Sequence, residues 1–476
     1  MRVVFVSGRF NVLHPGHIRF LQFARECGDR LVVGVERDAI AGANSFVPEN
    51  LRLESVLSCS YVDEAFLMCD SVDATIRRLK PEVVVKGSEH ENRENPEAVA
   101  VGSYGGRLIF SSGEIIFSSR DLLNSEFGAT AADVELPEKF MSRHGILSSR
   151  LRTIVSRFSE IPVLVAGDLI VDEYISCDPL GMSQEDPTIV VKPLDMHRFV
   201  GGAGIVAAHA AALGAPAQLF SVVGDDEEAR FAASRLSSYR VEARLIEDTT
   251  RPTTLKTRYR ANGKTLFRVS RLHQASISAS LRAVVRSCVH DLRESPKLVI
   301  FSDFNYGFLP QDLVNELTDH FRAAGSTLCA DSQSSSQLGD VARFKNMTLL
   351  TPTEREARLS TRNREDGLSV LGDSLRSVTN SQNIILKLGQ DGALVCPAPF
   401  DGVPVQPDRI EALNSAPKDV SGAGDSMLIT AGLTLAAGGN IWEAACLGSV
   451  AAAIQVARVG NVPITSGEIN AVLERS

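Results

Sequence analysis

Apolar runs alternate with amphipathic stretches over residues 1–130. Residues 3–7 (VVFVS) and 30–35 (RLVVGV) are predicted strands, and residues 18–28 (IRFLQFARECG) between them are a predicted amphipathic helix. Residues 83–87 (VVVKG) and 107–112 (RLIFSS) continue the alternation. This pattern predicts βαβ units and a parallel sheet with helices on its faces.

A second patterned region begins after a polar stretch at residues 125–145. A helix-like segment at 146–161 leads into a predicted strand at 163–168 (VLVAGD), and glycine-punctuated strands and helices follow to the end. Residues 191–200 and 254–272 suggest hairpins outside a main sheet, the second turning on Asn-Gly. We therefore predict two α/β domains, 1–130 and 160–476, with 131–159 as a linker and connecting helix.

Composition narrows the class of protein. A chain of 476 residues is too long for one compact core, and its net charge of −9 argues against broad nucleic-acid binding. The eight cysteines form no CxxC pair, which favours free thiols in a reducing compartment. Residues 444–459 are apolar but are interrupted by Gln455 and Arg458, so we expect a packed helix and no membrane partner. The first ten residues do not resemble a signal peptide, and a cytoplasmic location is expected.

The segment GRFNVLHPGH (residues 8–17) directly follows the first predicted strand. If a helix begins near Pro15, His14 and His17 share one face at its N-terminus, where free N–H groups favour phosphates. Gly8 lets a ligand approach the backbone. Two imidazoles there can donate hydrogen bonds to a nucleotide phosphate and its leaving pyrophosphate. The alternative is a pair of ordinary histidines at a helix N-terminus.

This segment resembles the cytidylyltransferase-like superfamily, whose motif is GxFDxxHxGH. The strand at 83–87 and residues 105–123 are similar to the adenylyltransferase half of bifunctional ADP-heptose synthesis enzymes. The resemblance implies a Rossmann-like domain in which a sugar 1-phosphate attacks the α-phosphorus of ATP or CTP, with Mg²⁺ on the departing pyrophosphate. It places His14 and His17 on the triphosphate, and the nucleotide site at Gly8, Phe10, Asn11, Lys86, Gly87, Ser118 and Ser119.

Three positions depart from the family pattern in this half. Asn11 replaces an aspartate, Ala41 stands where a lysine is usual, and Arg120 stands where a small hydroxyl residue is usual. The loss of a cationic phosphate ligand weakens stabilisation of the transition state. An alternative therefore stays open: an active sugar kinase fused to a non-catalytic nucleotide-binding domain with a regulatory or scaffolding role.

A second glycine-rich turn, KDVSGAGDSM (418–427), precedes a long helix of small residues. Gly422 and Gly424 permit a tight turn whose N–H groups point into one concavity, an anion nest at a helix N-terminus. Asp425 would repel an anion there, but it is suited to take a proton from a substrate hydroxyl. The alternative is that Asp425 is a helix N-cap.

The order of segments around this turn resembles the ribokinase-like, or PfkB, sugar kinases across 160–476. These segments include GDLIVDEYI (167–175), FVGGAGIVAAHAAALGA (199–215), LLTPTEREA (349–357) and ILKLGQDGALV (385–395). The resemblance implies a ribokinase-like α/β domain with a small β lid, ATP and Mg²⁺ as cofactors, and a homodimer formed through this domain. It assigns sugar contacts to Asp168, Asp172, Gly201 and Gly202, the anion hole to Gly422, Ala423 and Gly424, the base to Asp425, ATP contacts to Lys387 and Gly389, and a water-mediated magnesium contact to Glu356.

A basic cluster on the 254–272 hairpin suggests what the substrate carries. Lys256 and Arg258 are two apart on a strand and so share a face, and with Arg268 they form a candidate site for a sugar phosphate. The alternative is a solvated basic face. The two halves occur in the reverse of the order usual for heptose enzymes. The two resemblances together therefore imply a bifunctional enzyme of nucleotide-sugar synthesis, but the sequence does not name the sugar.

Overall fold

The computed structural model describes residues 2–11, 13, 15–41, 47–87, 95–111, 134–183, 186, 188–261, 264–333 and 339–475. The chain divides into two compact units, residues 1–129 and 130–476. Among the predicted site residues, His14, Ser118 and Ser119 lie outside the described residues, as does Arg120.

The first unit is a five-stranded parallel sheet in the order β3-β2-β1-β4-β5. Its strands are β1 Val3–Gly8, β2 Arg30–Glu36, β3 Glu64–Met68, β4 Val83–Gly87 and β5 Arg107–Ser111. Its described helices are Pro15–Glu26, Asp38–Ala41, Glu49–Leu57, Val72–Leu79 and Pro96–Gly102. β1 pairs with β2 on one side and with β4 on the other, so the strand order reverses beside β1.

Both faces of this sheet are buried, which explains the nearly continuous apolar runs of its strands. Val4 and Val6 face one hydrophobic cluster together with Leu21 of the first helix. Phe5 faces the other cluster together with Ile76. The predicted βαβ alternation is confirmed in this unit.

The second unit is built on a nine-stranded sheet in the order β10-β9-β6-β13-β14-β15-β16-β17-β18. Its strands run parallel from β10 to β16, and β17 and β18 are antiparallel additions. The bounds are β6 Val163–Gly167, β9 Ala217–Val223, β10 Glu242–Glu247, β13 Leu298–Asp303, β14 Thr327–Ser332, β15 Leu349–Leu350, β16 Asn383–Lys387, β17 Ala393–Cys396 and β18 Asp408–Ile410.

Helices cover both faces of this sheet. Their bounds are Glu138–Arg143, Ser148–Ser156, Ala203–Ala212, Glu227–Ser238, Ala279–His290, Gln311–Ala323, Glu354–Thr361, Leu368–Thr379, Ala423–Ala436, Ile441–Val456 and Ser466–Leu473, with 3₁₀ turns at Arg157–Glu160, Val341–Arg343 and Gly389–Asp391. Helices Ala423–Ala436 and Ile441–Val456 are almost entirely buried and consist largely of small residues. No helix within the described ranges is both long and apolar enough to cross a bilayer.

A separate four-stranded sheet in the order β12-β11-β7-β8 completes the second unit. It comprises β7 Leu169–Met182, β8 Ile189–Gly202, β11 Thr254–Ala261 and β12 Lys264–Arg271. The predicted 254–272 hairpin is confirmed as the antiparallel pair β11–β12. Residues 191–200 do not form a hairpin of their own, because they lie within the single strand β8, whose antiparallel partner is β7.

The segment expected to connect the domains is part of the second unit's core. Phe140, Leu151, Ile154 and Phe158 are buried in the same hydrophobic cluster as Val163 of β6. These apolar side chains explain why this segment packs against the domain instead of forming an exposed linker.

Candidate functional site

A cavity of about 1090 Å³ lies at the carboxyl ends of the parallel strands of the second unit. Lys387 ends β16, Gln333 follows β14, and both line the cavity. Ligands bind at this edge in open α/β sheets. The cavity brings together most of the residues predicted for this unit, namely Asp172, Gly202, Lys256, Arg258, Arg268, Glu356, Lys387, Gly389, Gly422, Ala423, Gly424 and Asp425.

The glycine-rich turn forms the N-terminus of helix Ala423–Ala436 at this cavity. Gly422 adopts a left-handed φ of 78°, and a Cβ atom there would lie 2.6 Å from Oδ1 of Asn461. A Cβ atom on Gly424 would lie 3.0 Å from Nζ of Lys387. The turn therefore needs glycine at position 422, and the absence of a side chain at Gly424 leaves room for Lys387. The first N–H groups of the helix have no intrahelical acceptor, so they can bind an anion.

Asp425 lies in the first turn of this helix and is only 6% exposed. Its Oδ1 accepts a hydrogen bond of 3.2 Å from Nε2 of Gln333. Burial and the negative charge of Asp331 raise the pKa of Asp425 to about 7. The N-cap alternative does not describe this geometry, because the N-cap is Gly422 and makes no side-chain cap bond. A carboxyl group with a pKa near neutrality is suited to general-base chemistry.

A buried ion pair lies beside Asp425. Nζ of Lys387 is 2.7 Å from Oδ2 of Asp331, and the two side chains are 13% and 3% exposed. Burial raises the pKa of Asp331 to about 6, although the positive charge of Lys387 opposes this rise. The pair positions a cation against the anion nest at Gly424.

Asp172 lies on β7 at the other side of the cavity. Its carboxylate forms an ion pair with Arg258 on the adjacent strand β11 and accepts a 3.0 Å hydrogen bond from Nδ2 of Asn461. Gly201 makes room for this carboxylate, since a Cβ atom there would lie 2.1 Å from Oδ2 of Asp172. Gly201 is not among the cavity-lining residues, and its sugar contact stays a prediction.

Lys256 and Arg258 both line the cavity, as their two-residue spacing on β11 predicts, and Arg268 on β12 lies opposite Arg258. The ammonium group of Lys256 is 4.8 Å from the ring centre of Phe304 and 5.2 Å from that of Tyr306. Over the described ranges it has no ion-pair partner, although the side chain is only 3% exposed. A buried cation of this kind favours an anionic ligand.

Asp168 has a different environment from that expected. It does not line the large cavity, and its two oxygens accept backbone hydrogen bonds from Phe304, Tyr306 and Phe308 at 2.9–3.1 Å. Burial and the charge of Asp303 raise its pKa. In this structure Asp168 positions the loop after β13, and its predicted contact with a sugar stays a prediction.

Glu356 lines the cavity from helix Glu354–Thr361. One carboxylate oxygen accepts a hydrogen bond of 2.8 Å from the backbone N–H of Thr353, which completes a capping box. Thr353 is the N-cap of this helix, and its hydroxyl oxygen accepts a hydrogen bond of 3.3 Å from the backbone N–H of Glu356.

Sequence reasoning missed three residues of this site. Asp331 pairs with Lys387, Gln333 donates a hydrogen bond to Asp425, and Asn461 donates one to Asp172. Asp331 and Gln333 follow the apolar run of β14 at a strand end, a signal that could have identified them. Asn461 follows helix Ile441–Val456 in an irregular segment, and no local motif marks it.

The candidate site of the first unit lies where the strand order reverses between β1 and β4. β1 ends at Gly8, and β4 ends at Lys86 and Gly87, so these residues lie at the same edge of the sheet. Helix Pro15–Glu26 begins near this edge, as predicted. Nucleotides bind at such a reversal point in doubly wound folds.

The loop after β1 is held by buried contacts. Phe10 adopts a left-handed φ of 46° and packs edge-on against the His17 ring, with 5.3 Å between ring centres. Asn11 is buried. The fully buried Arg52, which sequence reasoning missed, donates a hydrogen bond of 2.6 Å to the backbone carbonyl of Arg9. These contacts position Arg9 and Phe10, which precede the histidine motif.

Lys86 already has a partner in the first unit. Its ammonium group is 2.8 Å from Oε1 of Glu97, and both side chains are mostly buried. The resemblance places the positive charge of Lys86 at the nucleotide, but in this structure the carboxylate of Glu97 balances that charge. Ala41, which stands where a lysine is usual, ends the short helix Asp38–Ala41.

Comparisons with known proteins agree with this geometry. The pfkB family carbohydrate kinase model matches residues 165–465, and the cytidylyltransferase-like model matches residues 5–102. The chain belongs to the pfkB family of carbohydrate kinases. Its first unit carries a cytidylyltransferase-like domain, so the predicted combination of a sugar kinase with a nucleotidyltransferase domain is confirmed at the level of families.

Two curated relatives are both named bifunctional protein HldE. The protein from Desulfatibacillum aliphaticivorans is 32% identical over 326 residues, which is 67% of this chain and 64% of that protein. The protein from Helicobacter hepaticus is 30% identical over 315 residues, or 64% of this chain and 62% of that protein. The chain therefore aligns with somewhat less than two thirds of the length of these relatives.

Solved structures share the fold of the second unit. Phosphofructokinase-2 from Escherichia coli, in complex with substrates and products, has a TM-score of 0.56 at 15% identity, with coverage of 66% of this chain and 99% of that chain. Ribokinase from Arabidopsis thaliana, complexed with ribose and ATP, has a TM-score of 0.51 at 16% identity, with coverage of 66% and 99%. These likenesses confirm the predicted ribokinase-like fold of the pfkB unit, and its four-stranded sheet corresponds to the predicted lid.

Proposed function

We propose that this protein is a bifunctional enzyme of nucleotide-sugar synthesis. The pfkB unit phosphorylates a sugar or sugar phosphate of the heptose 7-phosphate kind from MgATP. The first unit transfers a nucleotidyl group from ATP or CTP to a sugar 1-phosphate and releases pyrophosphate. The observation that carries the kinase half is the buried Asp425 at a helix N-terminus, in one cavity with Asp172 and Lys256.

In the kinase reaction Asp425 is the general base. Its carboxylate takes the proton of the substrate hydroxyl while the hydroxyl oxygen bonds to the γ-phosphorus of ATP and the bond to the ADP oxygen breaks. The N–H groups at Gly422–Gly424 and the ammonium group of Lys387 stabilise negative charge on the transferred group. Asp172 orients the sugar, and Lys256 attracts its phosphate.

The cavity is suited to ATP and a sugar together, because about 1090 Å³ lies at the upper end for small-molecule sites. The donors present also fit Mg²⁺. Within the described ranges no group of three or more acidic, histidine or cysteine side chains could hold a metal. Mg²⁺ typically binds through nucleotide phosphates, waters and one or two carboxylates, and Glu356 is the carboxylate at this place. The ion would neutralise charge on the phosphates.

In the first unit His17, with the predicted His14, donates hydrogen bonds to the triphosphate. A sugar 1-phosphate oxygen bonds to the α-phosphorus, and the bond to the pyrophosphate oxygen breaks. Asn11 and the Lys86–Glu97 pair are the observations that favour the second candidate, in which this domain binds nucleotide without turnover. The match over 5–102 and the bifunctional relatives support the two-activity proposal instead.

The lid supports a homodimer. Its strands expose large apolar side chains, with Leu194 64% exposed, Met196 50%, Phe267 45% and Val269 54%. Exposed apolar surface of this kind is typical of protein interfaces. A Phe267→Asp substitution should shift the protein to monomers in sedimentation experiments. We also propose that the enzyme works in the cytoplasm, where MgATP is available and its eight unpaired cysteines stay reduced.

The test uses the purified chain with MgATP and a panel of hexose and heptose phosphates. ADP formation that depends on one sugar and is absent from Asp425→Asn supports the kinase. No ADP formation above the Asp425→Asn background with any sugar contradicts it. Pyrophosphate release from ATP or CTP with a sugar 1-phosphate, lost in His17→Ala, supports the second activity, whereas its absence from the unaltered chain favours the non-catalytic alternative.

A further inference from the structure

A second cavity of about 810 Å³ lies along helix Glu354–Thr361 in the kinase unit. It shares Thr353, Arg355, Lys387 and Gly389 with the large cavity, so the two adjoin at the end of β16. The proposed reaction assigns ATP to two of its lining residues, Lys387 and Gly389, and no ligand to the others. Its lining includes Leu359 and Leu388 between charged side chains.

The lining of this cavity is strongly basic in a chain of net charge −9. Arg355 and Arg358 are three residues apart on this helix and so lie on one face, Arg362 is its left-handed C-cap, and Arg364 follows two residues later. The one acidic side chain in the lining is Glu354. We call these four arginines the arginine face.

Most of this positive charge is not compensated by the protein. Within the described residues, Arg355, Arg362 and Arg364 have no ion-pair partner. Arg358 is held in place by Oε1 of Glu354 at 2.8 Å and by the backbone carbonyl of Asp366 at 3.1 Å. The arginine face thus combines one fixed guanidinium group with three that are available to a ligand. Like charges gathered around a cavity repel each other until an anion binds.

We propose that the second cavity binds an oligophosphate, distinct from the ATP molecule that the kinase consumes. Guanidinium groups bind phosphate oxygens through two parallel hydrogen bonds, and several guanidinium groups around one cavity match a chain of linked phosphates. The volume exceeds the need of a single inorganic phosphate. The ligand is therefore either an inorganic oligophosphate or the phosphate chain of a second nucleotide.

The position of this ligand has a consequence for the kinase. Lys387 and Gly389 line both cavities, so an oligophosphate would lie close to the phosphate end of bound ATP. Two polyanions at short distance repel each other. The ligand is thus an inhibitor that raises the KM for ATP. This consequence rests on the proposed kinase reaction, whereas the binding itself does not.

The decisive measurement is calorimetric titration of the full chain with inorganic tripolyphosphate. The test variant is Arg362→Gln/Arg364→Gln, because both side chains are exposed and their loss does not disturb the core. The matched control is Arg230→Gln/Arg235→Gln, which removes the same charge from helix Glu227–Ser238, away from the cavity. We expect the test variant to lose one equivalent of bound tripolyphosphate, or to bind that equivalent at least about 10-fold more weakly, and the control to match the unaltered chain.

Two results would overturn the proposal. One is equal binding in the unaltered chain and the test variant. The other is a rise in the KM of the test variant for ATP, measured without oligophosphate, that is about as large as its loss of tripolyphosphate affinity. The arginines would then bind the ATP that the kinase consumes. Parallel titrations with pyrophosphate and with a non-hydrolysable ATP analogue identify the source of the phosphates. The source is the compound of which the test variant binds one equivalent fewer than the unaltered chain. A chain that shows this loss but forms no ADP refutes the kinase proposal and leaves the oligophosphate site intact.

Discussion

The two units place their candidate phosphate sites at the same kind of position but supply different charges there. In each unit a helix begins beside the carboxyl ends of parallel strands. The kinase cavity holds Lys256 and Lys387 together with the buried Asp425. In the first unit Lys86 is neutralised by Glu97, and a neutral Asn11 lies in the loop. The comparison indicates that the backbone geometry of each site favours phosphate binding. The charged side chains around the site determine how strongly it can accelerate the reaction.

The largest expected effect separates the two sites completely. Asp425→Asn should lower ADP formation by about 10²–10⁴-fold, because an amide cannot accept the substrate proton, and should leave pyrophosphate release unchanged. His17→Ala should do the reverse, with a loss of about 10²–10³-fold in pyrophosphate release. Coupled assays for ADP and pyrophosphate measure both. The control is Asp373→Asn, at an exposed position of a helix. If Asp425→Asn or His17→Ala abolished both activities, the two sites would not be independent.

The next effect tests the buried charges of the kinase site. Lys387→Met leaves the buried Asp331 without its counter-ion, which should cost about 3–5 kcal/mol of unfolding free energy near pH 8. The cost should be smaller at pH 5, since Asp331, with a pKa of about 6, is then protonated. Trp442 is the single tryptophan of the chain and lies in the second unit, so its fluorescence during urea denaturation reports on this unit.

The double variant Lys387→Met/Asp331→Asn provides the control for this ion pair. It removes the uncompensated charge and should recover part of the lost stability. Equal destabilisation in the single and double variants would mean that Lys387 contributes packing and that its charge is unimportant.

The buried charges also predict the pH dependence of the kinase. Only the carboxylate form of Asp425 can accept a proton, and its pKa is raised to about 7. The value of kcat/KM should therefore fall about 10-fold for each pH unit below 7 and level off above it. Asp331→Asn removes a negative charge that raises the pKa of Asp425, so the falling limb should move to lower pH. An unchanged profile in this variant would show that another group controls the titration.

The sequence predicted the local features of both sites because turn chemistry is encoded within a few residues. The glycine-rich turn at 422–424, the start of the helix at Pro15, and the shared face of Lys256 and Arg258 all follow from spacing alone. Periodicity and ordered motifs also predicted the α/β fold of both units.

Long-range pairings could not be predicted in this way. Lys387 and Asp331 are 56 residues apart, and Asn461 and Asp172 are 289 apart. Their proximity depends on the order of strands in the sheet, which no local pattern encodes. Two further features also depend on contacts that are distant in sequence. Backbone N–H groups of residues 304–308 bind Asp168, and residues 138–158 pack into the core.

The smallest expected effect tests whether Glu97 limits the first unit. If Lys86 contacts the nucleotide, Glu97→Gln removes a carboxylate that competes with the phosphates for its ammonium group. The KM for the nucleotide in pyrophosphate release should then fall by about 2–5-fold, the range expected for one partly shielded ion pair. Glu64→Gln controls for the change in net charge. Glu64 lies on the outer strand β3 and forms an ion pair with Arg30. A rise in KM in Glu97→Gln would instead show that Glu97 positions Lys86 for binding, and the contrast in charge between the two units would then disappear.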